Sequence, residues 1–333
     1  MSENGTPCIL YGELYTKYKS EIISKVISKT DIEESKLKHS KQNDVIIPCS
    51  GETAIDIAVA RCVPFDNVLL GGDLNVIRLH KYDGAFMAYQ LNGKRKTDIA
   101  KLAQGVSVVH LYGENLKSIK TYNPSLQEQQ KIVKLLSMLD ERLEVQNKII
   151  EKLQSLIKGI AQNIVLRNKP NVRISQCLEC SSSTLQESDV WEYGAYPVYG
   201  ANGVVGFLDN YNTSNEAIYI IKDGSGVGAV SYVAGKCSAT GTLNILQAKK
   251  GFSLRYLYYL LNIFNFEPYK TGMAIPHIYF KDYGKAQIFC PSYSEQLKYA
   301  KFLATIDDKL LTEQNVLINL SLQKQYLLRQ MFI

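Results

Sequence analysis

From Ile132 the apolar positions run through Leu136, Leu139 and Leu143, pass a polar Gln146, and continue at Ile150, Leu153, Ile157, Ile160 and Ile164. Steps that alternate between four and three residues define a coiled-coil seam, narrower than the stripe of an ordinary surface helix. A second run keeps the same rhythm at Tyr299, Leu303, Ile306, Leu310, Glu313, Leu317, Leu320, Lys324, Leu327 and Met331. Ahead of each run stands Pro-Ser, with Glu three residues after the Ser (Ser125/Glu128 and Ser292/Glu295). In that arrangement the Ser side chain takes a first-turn amide while the Glu reaches back to the N-cap amide, so both helix starts are marked. The pattern predicts two long helices, over 124–168 and 291–333, each roughly 60 Å long at 1.5 Å per residue. Gln146 and Glu313 occupy the same rung of the two seams, and a buried polar rung is the usual device for fixing register. A seam of this length needs a partner, and each helix finds one in the other. Spacing alone leaves open whether they run parallel or antiparallel.

The two helices belong to a larger repeat. PSLQEQQKIVKLLSMLDERL (124–143) and PSYSEQLKYAKFLATIDDKL (291–310) share Pro, Ser, Glu, Gln, Lys, Lys, Leu, Asp and Leu 167 places apart. At the same offset QGVSVVHLY (104–112) answers TGMAIPHIY (271–279). Further upstream DLN (73–75) faces TLN (242–244) and YQLN (89–92) faces YLLN (259–262), the register slipping by one to three residues. The chain therefore reads as variable domain (1–123), helix (124–168), variable domain (169–290) and helix (291–333). That is an internal pseudo-two-fold repeat.

The variable domains are expected to be mostly β with some helix. Residues 44–49, 67–70, 75–79, 216–221, 229–233 and 243–246 are short, rich in β-branched side chains and flanked by Gly, Asn or Asp. SLRYLYYLLNIF (253–264) has the apolar density of a buried helix. With 46% hydrophobic and 21% charged residues the chain is too apolar for a disordered protein. No run of eighteen apolar residues occurs, and the N-terminus lacks both a basic and a greasy signal segment, so the expectation is a cytoplasmic protein without a membrane partner. Lys and Arg exceed Asp and Glu by 38 to 32, giving +6, which permits a DNA partner without demanding one. Twenty-two Tyr stand against one Trp, many in turn-rich segments where a ring with a polar end suits a contact surface.

Several chemistries are missing. No segment fits a phosphate-binding P-loop, an H-E-x-x-H zinc helix or a G-x-S-x-G nucleophile elbow. DGSGVG (223–228) lies between two strand-like segments, where a tight hairpin is expected in place of a nucleotide cradle. NPSL (123–126) resembles the N-P-P-aromatic box of amino-methyltransferases but lacks the aromatic, and its Ser is explained as a cap. Cys177 and Cys180 form a lone C-x-x-C without the second pair a zinc site needs, and the seven cysteines read as reduced thiols. The four His are scattered, and His110 and His277, though equivalent, have no acid or nucleophile beside them. No catalytic residue, metal or cofactor is expected.

The repeated P-S-x-x-E-Q-x-K-x-x-x-x-L-x-x-x-D helix start, the preceding TGMAIPHIY and QGVSVVHLY, and PVYGANG (197–203) closely resemble the specificity (S) subunit of type I restriction-modification systems over essentially the whole chain. The resemblance implies an α+β protein in which two target-recognition domains each read one half of a split DNA sequence. Two conserved helices between them pack as an antiparallel coiled coil that sets their distance. It also implies that the chain catalyses nothing, since methylation and cleavage belong to two methyltransferase (M) subunits and to restriction (R) subunits assembled on it. In one respect the chain departs from the family. Some twenty residues (172–191) precede PVYG, whereas PCILYG (7–12) comes almost at the start, so the first domain is expected to lack its opening segment.

Base readout needs loops that carry hydrogen-bonding and basic side chains into a groove, while phosphate contacts orient the module. The first domain offers Lys17, Tyr18, Lys19, Lys94, Arg95 and Lys96, and the second Tyr199, Asn202, Lys222, Ser225, Lys236 and Lys270. The loop with Ser107 and His110, and its twin with Met273 and His277, are favoured as DNA contacts because they sit equivalently ahead of the helix starts. A competing reading is a non-DNA coiled-coil scaffold whose β domains bind protein or glycan, supported by the weak net charge. Strong salt dependence of duplex binding would favour DNA. A fused nuclease or methyltransferase is disfavoured by the missing motifs.

Overall fold

Four helices carry the architecture in the computed structural model, which describes residues 2–332. They are α1 (Gly84–Asn92), α2 (Leu126–Leu166), α3 (Leu254–Leu261) and α4 (Tyr293–Gln330). The chain forms two units, Met1–Lys148 with Asn315–Ile333 and Ile149–Gln314. Each unit thus holds one β domain together with a segment of both long helices.

All twenty seam positions read from the sequence are buried or half-buried, from Leu136 and Leu303 at the core to Leu143, Leu153 and Ile157 at intermediate depth. Gln146 is buried, and the Glu313 side chain, paired with Lys309, is 12% exposed. In the first unit Asp140 of α2 meets Lys324 of α4, while Ile132 and Leu136 cluster with Leu327, Leu328, Met331 and Phe332. Positions that fall along one helix as they rise along the other make the two segments antiparallel. In the second unit Ile160 and Ile164 share a cluster with Tyr299 and Ala300, again the end of α2 against the start of α4. The first helix start has both halves of its cap: the Glu128 amide donates to Ser125 Oγ at 3.4 Å and the Ser125 amide to Glu128 Oε2 at 3.0 Å. At the second, the Ser292 amide donates to Glu295 Oε2 at 3.2 Å while the Ser292 hydroxyl donates to the same carboxylate at 2.6 Å. These hydrogen bonds from Ser hold both carboxyls below the usual range.

The first unit contains a four-stranded sheet in the order Ser28–Thr30, Thr6–Ile9, Leu69–Leu70, Lys38–His39, in which Thr6–Ile9 runs parallel to Leu69–Leu70. A three-stranded antiparallel sheet places Asp44–Pro48 between Arg61–Val63 and Leu74–Ile77, with Val45 opposite both Cys62 and Ile77. All five residues of Asp44–Pro48 are buried, because Val45 and Ile47 pack into one apolar cluster and Ile46, on the opposite face, into another. In the second unit Leu178–Ser182, Leu243–Ala248, Glu216–Ile221 and Val230–Ala234 form an antiparallel sheet in that order. Beside it, Tyr196–Gly200 is flanked by Gly203–Leu208 and Ser238–Ala239. The segment 223–228 joins two antiparallel strands, the hairpin the sequence suggests. The expected strand over 67–70 shrinks to Leu69–Leu70.

Candidate nucleic-acid interface

Each β domain is riveted to the long helices by the same two bonds. Gln129 accepts from the Asp83 amide at 2.9 Å, and its counterpart Gln296 accepts from the Ser253 amide at 2.9 Å. Asp83 and Ser253 are the N-caps of α1 and α3. One helical stretch further on, the Tyr89 hydroxyl donates to Asp140 at 2.8 Å, as the Tyr259 hydroxyl does to Asp307 at 3.0 Å. The cations that complete the two joints differ. Lys324 lies 2.5 Å from both Asp140 and the buried Glu21 in the first unit. In the second, Arg255 meets Asp307 at 3.0 Å and lies over the Tyr232 ring at 4.3 Å. Burial raises the Glu21 carboxyl above the ordinary carboxylate range, with Lys324 pulling the other way.

On this frame the sequence-nominated residues fall into separate groups. Lys17 is exposed and paired with Glu13 at 2.8 Å, and Lys19 is exposed with its ammonium on the Thr16 carbonyl. Tyr18 between them is a correction. It is buried, its ring packed into the core that holds Ile9, Leu14 and Ile23 and its hydroxyl accepting from the Ile27 amide, so the apolar ring is taken inward while the flanking Lys side chains stay in water. Lys94 is exposed, whereas Arg95, 3.6 Å from Asp98, and Lys96 are half-buried where the short helix Lys96–Lys101 begins. Arg95 Nε is buried with no hydrogen-bond partner among the described residues. Ser107 and His110 lie exposed on a loop closed by reciprocal bonds between Gln104 and His110.

In the second unit the loops are brought together. The Gly224 amide donates to the Pro276 carbonyl and the Ile278 amide to the Lys222 carbonyl, which stitches the 222–228 hairpin to the Met273–His277 loop. Lys222, Ser225, Met273 and His277 therefore share one surface. His277 Nδ1 donates to the Ile275 carbonyl at 3.2 Å, and its ring meets Tyr279 edge-on at 5.1 Å. Lys222 also lines a cavity of about 430 Å³, together with Cys180, Asn244, Tyr279 and Lys281. Its Cys180 thiol is pushed up to about 11 by burial, so it carries no thiolate near neutral pH. Tyr279 and Lys281 were not nominated from sequence. Tyr279 repeats Tyr112 at the 167-residue offset, a signal that was present, whereas Lys281 faces Glu114 across the repeat and gave none.

The remaining candidates stand apart. Asn202 is exposed at the turn before Gly203, whose φ of +98° needs a glycine, and Tyr199 is half-buried with its ring 5.9 Å from Tyr219. Lys236 lies over Tyr211 at 4.8 Å and Tyr196 at 5.7 Å, and the Tyr211 hydroxyl raises its pKa. Lys270 is tied to Glu267 at 2.5 Å. Among the described residues no group of His, Cys, Asp and Glu could hold a metal ion, and the nearest sulfur partner of Cys177 is Cys290 at 3.8 Å. Among the described residues no helix is long and apolar enough to cross a membrane.

The sequence pattern of the family described as type I restriction modification DNA specificity domain matches this chain twice, over residues 4–155 and 171–320. The specificity subunit of the type I restriction enzyme EcoprrI of Escherichia coli is 25% identical over 126 residues, 38% of this chain and 30% of that protein. A Mycoplasma genitalium protein named as a type I specificity subunit is 24% identical over 283 residues, 78% of this chain and 73% of its own length. The match thus spans about a third of the first relative and about three quarters of the second. The crystal structure of a type I restriction-modification S subunit from M. genitalium shares the fold, with a TM-score of 0.65 over 98% of this chain and 92% of that one at 21% identity.

Proposed function

This chain belongs to the family of type I restriction-modification DNA specificity domains, and from that membership we propose that it reads a bipartite DNA target. Each β domain reads one half, and the paired helices α2 and α4 set the gap. The observation that carries the reading is the doubled family match, one copy to each half of a chain whose two domains are riveted alike to a shared pair of helices. The boundaries proposed are 1–123 and 169–290 for the recognition domains, with 124–168 and 291–333 for the helices. The chain is a DNA-reading subunit and not an enzyme. Its partners are double-stranded DNA, two methyltransferase subunits and, through that complex, restriction subunits. A protein- or glycan-binding scaffold is not favoured, because the family's description is DNA specificity.

Within the domains, Lys17, Lys19, Lys94 and Lys96 are proposed as phosphate contacts of the first half-site. The surface shared by Lys222, Ser225 and His277, extended by Tyr279 and Lys281, is proposed for the second. Phosphate contacts are blind to sequence, so their loss weakens all duplexes together and flattens the salt slope. The deciding experiment is to sequence methylated DNA from cells carrying this chain with its methyltransferase subunit. The expected result is one bipartite motif with a fixed gap. Methylation without such a motif, or none that depends on this chain, overturns the reading.

A further inference from the structure

The central sheets of the two β domains are built alike but end differently. Asp44–Pro48 between Arg61–Val63 and Leu74–Ile77 repeats Glu216–Ile221 between Val230–Ala234 and Leu243–Ala248. Leu74 and Asn75 stand 169 places before Leu243 and Asn244. In the second unit a fourth strand, Leu178–Ser182, pairs with the far side of Leu243–Ala248. In the first, no strand among the described residues pairs with the far side of Leu74–Ile77, which leaves a row of backbone donors and acceptors open. The opening has a second edge. The amides of Asn171, Ile174 and Ser175 donate to the carbonyls of Ile288, Ala286 and Gly284 in the second unit. At the 167-residue offset these carbonyls belong to Thr121, Ile119 and Lys117, and none of the three accepts a hydrogen bond among the described residues.

Apolar side chains stand beside both edges. Ile174, Cys177 and Leu178 are fully buried in one cluster with Leu246 and Tyr283. The counterparts of the last two, Ile77 and Leu116, stay half-buried with Ile119. The charges differ between the halves. Glu179 lies opposite Gln247 and Arg173 opposite Gln287, whereas the first unit has Arg78 and Lys120 at those places, both exposed. An occupant matched to them carries acids at both. A second copy of this chain has one of the two, and frees its Asn171–Ser182 only by opening its own second unit. We propose that Leu74–Leu79 and Lys117–Thr121 form a strand-acceptor site for an extended segment of a different polypeptide. That segment is apolar where Ile174, Cys177 and Leu178 stand and acidic where Arg173 and Glu179 stand. Strand addition supplies affinity through main-chain bonds and specificity through alternate side chains.

The test titrates the full chain, under reducing conditions, with a synthetic peptide of residues 170–183 carrying Arg173→Glu. Saturable binding of one peptide per chain is expected, with amide exchange over 74–79 and 117–121 slowed about ten-fold or more. The peptide without the substitution binds a few-fold more weakly, and the exposed Lys120→Glu in the chain reverses that preference. Cys180→Pro with Ser181→Pro in the peptide removes ladder donors on either side of the strand and weakens binding by about ten-fold or more, with the chain itself untouched. Absence of saturable binding overturns the inference, and so does a proline-bearing peptide that binds as well as its parent. Exchange altered over 243–248 in place of 74–79 would mean that the peptide invades the second unit, and overturns it too. A chain that is dimeric by sedimentation and made monomeric by the peptide would make a second copy the occupant, which equally overturns the assignment to a different polypeptide.

Discussion

Lys324 shows what one charge does in this fold. Its ammonium bridges Glu21 and Asp140 with 12% of the side chain exposed, so Lys324→Met leaves two carboxylates facing each other away from water. Breaking a buried ionic cluster in this way costs about 3–5 kcal/mol, and the loss should appear in the first unit's protection from hydrogen exchange while the second unit, with Arg255 in that role, is unchanged. Glu21 gives a pH dependence. Burial raises its carboxyl, so the folded chain holds a proton over a range where the unfolded chain has released it. Its contribution therefore favours the fold at the acid end and is lost as pH climbs from the ordinary carboxylate range through the raised value. Denaturation of parent and Glu21→Gln across that range should show the parent losing ground as pH rises; a parent that gains ground would mean the carboxylate is stabilised when charged. Neither effect was legible in the sequence, because Glu21, Asp140 and Lys324 are joined only by the fold. Tyr18 failed for a related reason: Lys-Tyr-Lys reads as one basic cluster, but burial is decided side chain by side chain.

At the scale of elements, the long helices were legible because a three-four seam and a Pro-Ser-x-x-Glu start are local patterns. Leu136→Ala and Leu303→Ala, at 0% and 1% exposure, should each cost about 2–5 kcal/mol by urea denaturation. Half-buried Leu143 and barely buried Leu310 should sit at or below the low end of that range. Equal losses at all four would place the packing elsewhere. Helix α3 could be read from its apolar density, but α1 could not. Eight of its nine residues are buried, so it has no polar face and no periodicity to reveal it. Short strands such as Leu69–Leu70 are set by their neighbours in the sheet, which propensity cannot anticipate. The basic loops of the candidate interface were found by composition, whereas the joining of the 222–228 hairpin to the 271–277 loop depends on contacts some fifty residues apart in sequence.

For the whole molecule, the proposed ruler makes a quantitative claim. One extra heptad in each long helix at seam-matched positions lengthens the pair by about 10 Å, close to three base pairs at roughly 3.4 Å each. Three pairs also turn the duplex by roughly 100°, so binding should weaken and the preferred gap grow by about one to three pairs with the half-site sequences unchanged. Selection from duplexes of variable gap decides it, and an unchanged gap would mean that spacing is set by something other than the helices. The assignment of Asn315–Ile333 to the first unit has a consequence during synthesis. Phe86 and Tyr89 wait for Leu328 and Phe332, and Asp140 waits for Lys324. The ribosome must add the 166 residues of Ile149–Gln314 before that closure can begin, which at ~5–20 residues per second takes roughly ten to thirty seconds. Through that interval the nascent first half presents an open apolar slot and an unneutralised acidic pair. A polypeptide stopped after Leu166 should therefore be captured by chaperones and cleaved readily by protease, and adding a synthetic peptide of residues 315–332 in trans should protect it.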